Sequence, residues 1–150
     1  TAKRPTVLYD DCGLHMTGGG SGPFYGIRPR EAALPIKYLL AILNSALYGW
    51  IIKAQSTNLR GGYIKFSKQY IETSPIVTPD EAGPEKVKAL VGQVDEIIRL
   101  RQQFAASKSP QDKGAFERQI HAATQQIDET VCELYGVKSS DISGVAEAAT

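Results

Sequence analysis

The sequence has few of the residues that build metal sites and disulfide frameworks. Two cysteines, Cys12 and Cys132, and two histidines, His15 and His121, are spread over 150 residues. Neither cysteine belongs to a Cys-x-x-Cys pair, and no four-ligand zinc spacing can be drawn from these side chains. The scarcity favours reduced thiols in a cytoplasmic protein over a disulfide-stabilised secreted one, and it predicts no bound metal.

Long apolar runs and targeting signals are also missing. No run approaches the roughly 20 apolar residues that a membrane span needs. The opening Thr-Ala-Lys-Arg-Pro has no apolar core behind its basic residues, so we expect no signal peptide. An apolar content of 42% is ordinary for a globular chain. We therefore expect a cytoplasmic chain of one domain, or one domain with an appendage, and no membrane partner.

Catalytic motifs are missing as well. The sequence contains no Asn-Pro-Pro-aromatic element of the kind that holds the target amine in amino-methyltransferases. The glycine-rich segment 17–23 lacks the Gly-Lys-Ser/Thr of a P-loop and the strand–helix context of a dinucleotide site, and we interpret it as a surface connection. Asp80 and the pair Glu85-Lys86 have the wrong order and spacing for a metal-dependent nuclease. We predict no catalytic residue and no cofactor site in this chain.

Charge is distributed unevenly. The first 80 residues hold nine Lys/Arg and five Asp/Glu, whereas the remaining residues hold eight and eleven. Between residues 28 and 70 a single acid, Glu31, faces seven basic residues. These are Arg28, Arg30, Lys37, Lys53, Arg60, Lys65 and Lys68. A local cationic excess attracts a polyanion, although basic residues scattered over a solvated face would give the same count.

The first half reads as a small β-rich unit around one buried helix. Residues 5–9 and 24–27 are β-prone runs bounded by turn residues. Residues 35–54 show helical spacing, and residues 63–68 alternate apolar and basic side chains as a third strand would. The helix has one apolar stripe, formed by Ile36, Leu40, Leu43, Leu47, Ile51 and Ala54. Residues 79–84 read as a turn-rich linker.

The second half reads as two long amphipathic helices, residues 85–106 and 113–135, folded back as an antiparallel hairpin. Gly136 is a natural stop for the second helix, and Ser139 is placed to cap a last short one. The predicted fold class is therefore α+β. A β-rich recognition unit spans residues 1–80, and a helical hairpin with a short C-terminal helix spans residues 81–150.

The segment from Ser56 to Tyr70 combines hydroxyl, amide and guanidinium groups with two adjacent glycines. Arginine can bind guanine through two parallel hydrogen bonds, and asparagine or glutamine can do the same for adenine. Lysine and serine commonly contact phosphate. The composition suits a nucleic-acid face. The alternative is that Gly61-Gly62 is only a hairpin turn and that the aromatic residues of the segment belong to the core.

The order and spacing of several short motifs resemble those of one family. They are Leu39-Leu-Ala-Ile-Leu-Asn-Ser45, Ser56, Arg60-Gly-Gly-Tyr63, Phe66, Gln69-Tyr70, Pro75-Ile76, Ile127-Asp-Glu-Thr-Val131 and Leu134-Tyr-Gly136. Together they look like the TaqI-like C-terminal specificity domain of type IIG restriction–modification enzymes and related adenine-N6 DNA methyltransferases. The resemblance covers roughly residues 5–145. One departure is Val77, where we would expect a second proline.

The resemblance implies a larger site-specific DNA adenine methyltransferase, which in some members also has endonuclease activity. A separate catalytic domain of that enzyme would bind S-adenosylmethionine and flip out an adenine. This chain would then bind double-stranded DNA and read its bases. From local chemistry, the candidate base readers are Asn58, Arg60 and Gln69. The candidate phosphate or groove contacts are Ser56, Lys65, Ser67 and Lys68. The alternative function is a protein-interaction module that docks another subunit through the helical hairpin.

Overall fold

A computed structural model describes residues 6–13, 26–29, 34–56, 58–59, 63–64 and 68–142. Its elements in chain order are α1 (Ile36–Asn44), α2 (Ala46–Gln55), β1 (Asn58–Leu59), β2 (Tyr63–Ile64), α3 (Lys68–Thr73), α4 (Pro79–Ala82), α5 (Pro84–Ala106) and α6 (Pro110–Leu134). In this described part, β pairing is confined to two strands of two residues each. The fold is all-α, and the prediction of an α+β fold with a β-rich unit is wrong.

The described residues of the two strands expected near the N-terminus are not paired in a sheet. The described residues of those segments, 6–9 and 26–27, are in neither helix nor strand. Val7 shows the reason: its backbone N–H donates to Oδ1 of Asn44, and its carbonyl accepts from Nδ2 of the same side chain, both at 2.9 Å. The groups that would pair with a neighbouring strand are satisfied by one amide side chain instead.

The third expected strand, residues 63–68, is confirmed at Tyr63 and Ile64 and is wrong at Lys68. β2 ends at Ile64, residues 65–67 lie outside the described part, and Lys68 begins α3. In α3 the adjacent residues Tyr70 and Ile71 both pack against the core. Neighbouring side chains can share one face of a helix, but they point to opposite faces of a strand. Burial of both residues therefore favours the helix.

The long helix expected over residues 35–54 is two helices with a corner at Ser45. The Ser45 hydroxyl accepts a hydrogen bond from the Tyr48 N–H at 3.1 Å and donates to the Ile42 carbonyl at 2.7 Å. Serine is a preferred N-cap because its hydroxyl satisfies a helix-terminal N–H. The side chain is fully buried, so the corner lies inside the protein.

The corner changes which residues face the core. A single stripe through Ile36 and Ile51 was expected, yet Ile36 is 41% exposed. The buried side chains of the two helices are Tyr38, Leu39, Ala41, Ile42, Leu43, Leu47, Tyr48 and Ile52. The helical phase does not continue through Ser45, so a stripe drawn across it has the wrong register. The prediction that the segment is deeply buried is confirmed for these eight residues, whereas Trp50, also expected on the buried side, is 42% exposed.

The expected linker 79–84 contains the short helix α4, fixed by a capping box. The Thr78 hydroxyl accepts from the Glu81 N–H, and the Glu81 carboxylate accepts from the Thr78 N–H at 2.8 Å. The Thr-x-x-Glu spacing is the sequence signature of this arrangement. Gly83 then separates α4 from α5 with a φ of 80°, a conformation that favours glycine.

The helical hairpin is confirmed. α5 has 23 residues and α6 has 25, and residues 107–109 connect them. Gly136 ends α6 as expected: its φ is 65°, its N–H donates to the Glu133 carbonyl, and the Val137 N–H donates to the Cys132 carbonyl. These two bonds are the Schellman pattern. Residues 139–142 form a further helical turn, and Ile142 is buried.

One core joins the two halves of the chain. Tyr38, Ile42 and Ile52 of α1 and α2 share it with Leu90 of α5 and Val131 of α6, all of them fully buried. Packing is therefore continuous across residue 80, and the division into a recognition unit and a hairpin unit stays a prediction. No helix of the described residues combines the length and apolarity needed to cross a membrane.

Candidate nucleic-acid interface

The predicted site lies on the chain between α2 and α3. Ser56 ends α2, and its N–H donates to the Ile52 carbonyl at 2.8 Å. β1 and β2 then pair antiparallel, with Asn58 opposite Ile64 and Leu59 opposite Tyr63. Residues 60–62, the Arg-Gly-Gly of the predicted site, fall between the two strands in the sequence and lie outside the described residues.

The structure describes only part of the predicted set. Arg60, Lys65 and Ser67, together with the side chain of Asn58, lie outside the described residues. Ser56 is half-buried at the end of α2, whereas Lys68 and Gln69 are exposed in the first turn of α3. The candidates that can be placed thus occupy the two ends of the segment, and a shared contact surface stays a prediction.

α3 has two faces with different tasks. Tyr70 and Ile71 pack against the core, while Lys68, Gln69 and Glu72 face solvent. The amphipathic division holds Lys68 and Gln69 outward because rotation of the short helix would expose Tyr70 and Ile71 to water. A ligand can reach the two polar side chains without disturbing the core.

Lys68 has an acidic neighbour. Its Nζ lies 3.5 Å from a carboxylate oxygen of Glu72, and the two side chains are 74% and 53% exposed. An exposed pair of this kind contributes about 0–1 kcal/mol. The contact is weak enough for a phosphate to replace Glu72 as the partner of Lys68.

Two tyrosine hydroxyls fasten the chain just after α3. The Tyr38 hydroxyl donates to the Val77 carbonyl at 2.9 Å, and the Tyr135 hydroxyl donates to the Pro75 carbonyl at 2.9 Å. The Val77 N–H in turn donates to the Tyr135 hydroxyl at 3.3 Å. We call the segment Pro75–Val77, with its hydroxyl partners Tyr38 and Tyr135, the tyrosine clamp. It fixes the end of α3 to α1 and α6.

Burial favours the neutral form of the Tyr38 and Tyr135 hydroxyls, which is the form that donates. Desolvation, with smaller contributions from Tyr135 and Glu81, raises the pKa of Tyr38 to about 12. Burial also raises the pKa of Tyr48, opposed by its contact with the Ser74 hydroxyl, and that of Tyr135, opposed by the Val77 backbone. The clamp is therefore intact at neutral pH.

The start of α2 is fixed from the far end of the chain. Asp128 on α6 accepts a hydrogen bond from the Ala46 N–H at 2.7 Å. A carboxylate at a helix N-terminus satisfies an unpaired donor and complements the helix dipole. With the Ser45 cap and the binding of Val7 by Asn44, this contact explains the Leu-Asn-Ser and Ile-Asp motifs as structural.

The residues of this framework were missed as positioning groups by the sequence reasoning. The adjacent Asn44-Ser45 pair inside an otherwise apolar run was a signal, because both residue types favour helix ends over helix interiors. For Tyr38, Asp128 and Tyr135 no local signal existed. Their partners lie 39, 82 and 60 residues away.

The cationic character of the region is partly used within the protein. Lys37 forms an ion pair with Asp95 and lies over the Tyr9 ring, with 5.5 Å from Nζ to the ring centroid. It is therefore unsuited to a ligand contact. Even so, no acidic residue occurs between Glu31 and Glu72, so the segment that contains the predicted site keeps a positive excess.

The described residues offer no place for a metal, since no three His, Cys, Asp or Glu side chains among them are grouped as ligands. The two cysteines are both free: Cys12 is exposed, and Cys132 is buried. The surface around α3 is formed by hydrogen-bonded groups, one weak ion pair and exposed polar side chains. Such a surface can bind and orient a ligand.

Comparison with known families matches residues 1–76 to the model of the TaqI-like C-terminal specificity domain. The match ends at Ile76, so it includes the whole predicted site and the Leu-Asn-Ser corner, but α4, α5 and α6 follow it. The resemblance inferred from the motifs is confirmed over this shorter length. No curated protein and no solved structure matches the chain.

Proposed function

Because the chain belongs to the TaqI-like C-terminal specificity domain family, we propose that it reads a specific sequence in double-stranded DNA. Domains of this family are non-catalytic and are associated with DNA target recognition in restriction–modification enzymes. The main support for this proposal is that the family match includes all of residues 56–70, where the hydrogen-bonding and cationic side chains of the predicted site occur.

The described part of this segment has the properties that a DNA contact needs. Lys68 and Gln69 are exposed on a helix whose other face is anchored in the core. The tyrosine clamp holds the end of that helix, so little conformational entropy is lost when a ligand binds. Phosphate contacts fix the register of a protein on the duplex, and base contacts read the sequence.

We assign the two tasks to different residues. Asn58, Arg60 and Gln69 are the proposed base readers, because amide and guanidinium groups form paired hydrogen bonds with adenine and guanine edges. Ser56, Lys65, Ser67 and Lys68 are the proposed phosphate or groove contacts. A base reader changes the preference between sequences, whereas a phosphate contact changes the affinity for all sequences.

The test compares Arg60→Ala with Lys68→Ala on duplexes selected by the unaltered chain from a randomised library. Arg60→Ala should reduce discrimination at one base pair by about 1–3 kcal/mol. Lys68→Ala should weaken every duplex alike, and the slope of log affinity against log salt should become shallower by about 0.9. Equilibrium binding at several salt concentrations measures both quantities.

Lys88→Ala is the matched control, since Lys88 is an exposed lysine on α5 outside the family match. It should leave both discrimination and the salt slope near those of the unaltered chain. Equal and salt-independent behaviour of Arg60→Ala and Lys68→Ala would contradict the proposed site. Failure of the unaltered chain to select any sequence would contradict the proposed function itself.

The parent enzyme is proposed to be an adenine-N6 methyltransferase of the type IIG kind, with the catalytic domain in the same polypeptide and S-adenosylmethionine bound there. An Asn-Pro-Pro-Tyr element in the reading frame upstream of Thr1 is the expected signature. The whole protein, supplied with S-adenosylmethionine, should form N6-methyladenine in its target duplex. If neither the upstream element nor N6-methyladenine were found, the proposal would be limited to DNA binding. Docking of another subunit through the hairpin remains the alternative.

A further inference from the structure

Charge separates along the helical hairpin. The hairpin tip, defined as residues 98–120, holds five Lys/Arg and two Asp/Glu. The rest of residues 81–150 holds three Lys/Arg and nine Asp/Glu. The acidic end is the one packed against α1 and α2, so the cationic end is the one far from the central core.

Several charged side chains of the hairpin have partners within the protein. Asp95 pairs with Lys37, Glu96 with Arg99, and Asp128 caps α2. By contrast, four cations of the tip form no ion pair with any described residue. These are Arg101, Lys108, Lys113 and Arg118. Their charge is available to an external polyanion.

The tip is ordered and extends beyond the central core. Ile98 is the last residue of α5 packed against that core. Eight further residues at 1.5 Å each carry the helix about 12 Å farther. Leu100, 1% exposed, and the contact of Lys113 over the Phe104 ring at 5.4 Å hold the two helices together there. The tip is thus a helical extension whose Arg101, Lys108 and Arg118 side chains are exposed.

We propose that the hairpin tip is a second DNA contact, in which Arg101, Lys108 and Arg118 bind backbone phosphates away from the base-reading segment. The inference rests on the proposed function, because it names a further surface for the same partner. Charge complementarity favours DNA as the partner of the tip. The phosphate backbone is a dense polyanion, and exposed Lys and Arg side chains release its counterions on binding. The contact carries no sequence information.

The experiment compares two triple variants with the same change in net charge. The tip variant is Arg101→Gln, Lys108→Gln and Arg118→Gln. The control variant is Lys86→Gln, Lys88→Gln and Lys138→Gln, at the acidic end of the second half. Each is titrated with a random-sequence duplex at several salt concentrations. Circular dichroism of both variants checks that the helices are retained.

The tip variant should bind more weakly, and its salt slope should fall by up to about 2.7, or about 0.9 for each phosphate that is no longer neutralised. The control should keep a slope close to that of the unaltered chain, and the relative preference for the selected target should be the same in all three. Equal slopes for tip and control variants would overturn the tip contact while leaving the proposed function standing. An unaltered chain that binds no duplex would overturn both.

Discussion

The α1–α2 corner and the segment between α2 and α3 both contain motifs typical of the family, yet their polar side chains do opposite things. At the corner, Asn44 and Ser45 are directed inward and bind backbone groups of Val7, Ile42 and Tyr48. On α3, Lys68 and Gln69 are directed outward. Polar residues of one family signature thus stabilise the fold at the α1–α2 corner, whereas on α3 they are accessible to a ligand.

The difference between inward and outward polar side chains predicts that substitutions at the corner affect folding stability and that substitutions on α3 affect DNA binding. Loss of an inward polar group leaves a buried partner unsatisfied, which costs folding free energy. Loss of an outward group leaves water in its place, which costs little unless a ligand was bound. Substitutions in the two regions should therefore affect different measurements, with the effect on stability falling from Ile42→Ala, the largest, to Glu72→Gln, the smallest.

Ile42→Ala should destabilise the protein most. Ile42 is fully buried where α1 meets the common core, and truncation of such a side chain to alanine costs about 2–5 kcal/mol. Urea denaturation measures the loss. Below the unfolding transition, the DNA affinity of the variant should equal that of the unaltered chain. A large loss of affinity in the folded protein would show that the two regions are not separable.

Tyr38→Phe should cost about 1–3 kcal/mol, because the Val77 carbonyl loses its donor in a buried place. The same variant should also change how the free energy of unfolding depends on pH in alkaline solution. The pKa of Tyr38 is raised from 10.0 to about 12 in the folded protein, so its contribution is complete below pH 10 and is lost as the pH rises through 12. Urea unfolding from pH 9 upward should show a shallower decline for Tyr38→Phe. An unchanged decline would contradict the assignment.

Asp128→Ala should cost about 0.5–2 kcal/mol, since α2 loses a carboxylate at its N-terminus. Asp128→Asn is the control, because it keeps an acceptor for the Ala46 N–H and removes only the charge. Its thermal unfolding temperature should lie between those of the unaltered chain and Asp128→Ala. Identical unfolding of all three proteins would mean that the contact across α2 and α6 contributes nothing.

Glu72→Gln should change stability least, by no more than about 0.5 kcal/mol, because its ion pair with Lys68 is exposed. Its expected effect lies in binding. Without the neighbouring carboxylate, Lys68 is fully available to phosphate, and the affinity for duplex DNA should rise. Thr73→Ala, at the neighbouring exposed position, serves as the neutral comparison. Weaker binding of Glu72→Gln would place the DNA elsewhere.

Parts of the fold that rest on local patterns could be predicted. The hairpin 84–134 follows from apolar residues at helical spacing, and its end at Gly136 follows from the left-handed conformation that the glycine adopts. The α4 helix could have been predicted too, since Thr78-Pro-Asp-Glu81 has the capping-box spacing. Of the candidate site, the outward position of Lys68 was expected, but at the end of a strand instead of at the start of a helix.

The amino-acid sequence by itself determined the long amphipathic helices, the family and the positions of the charges, because each depends on residue identity and short-range spacing. Only the tertiary structure decided that the described N-terminal residues are not in strands, that the first helix turns a corner at Ser45, and which face of α3 meets the core. Those outcomes depend on Asn44, Asp128, Tyr38 and Tyr135, whose hydrogen-bond partners lie 37 to 82 residues away. Local periodicity carries no information about contacts at that range.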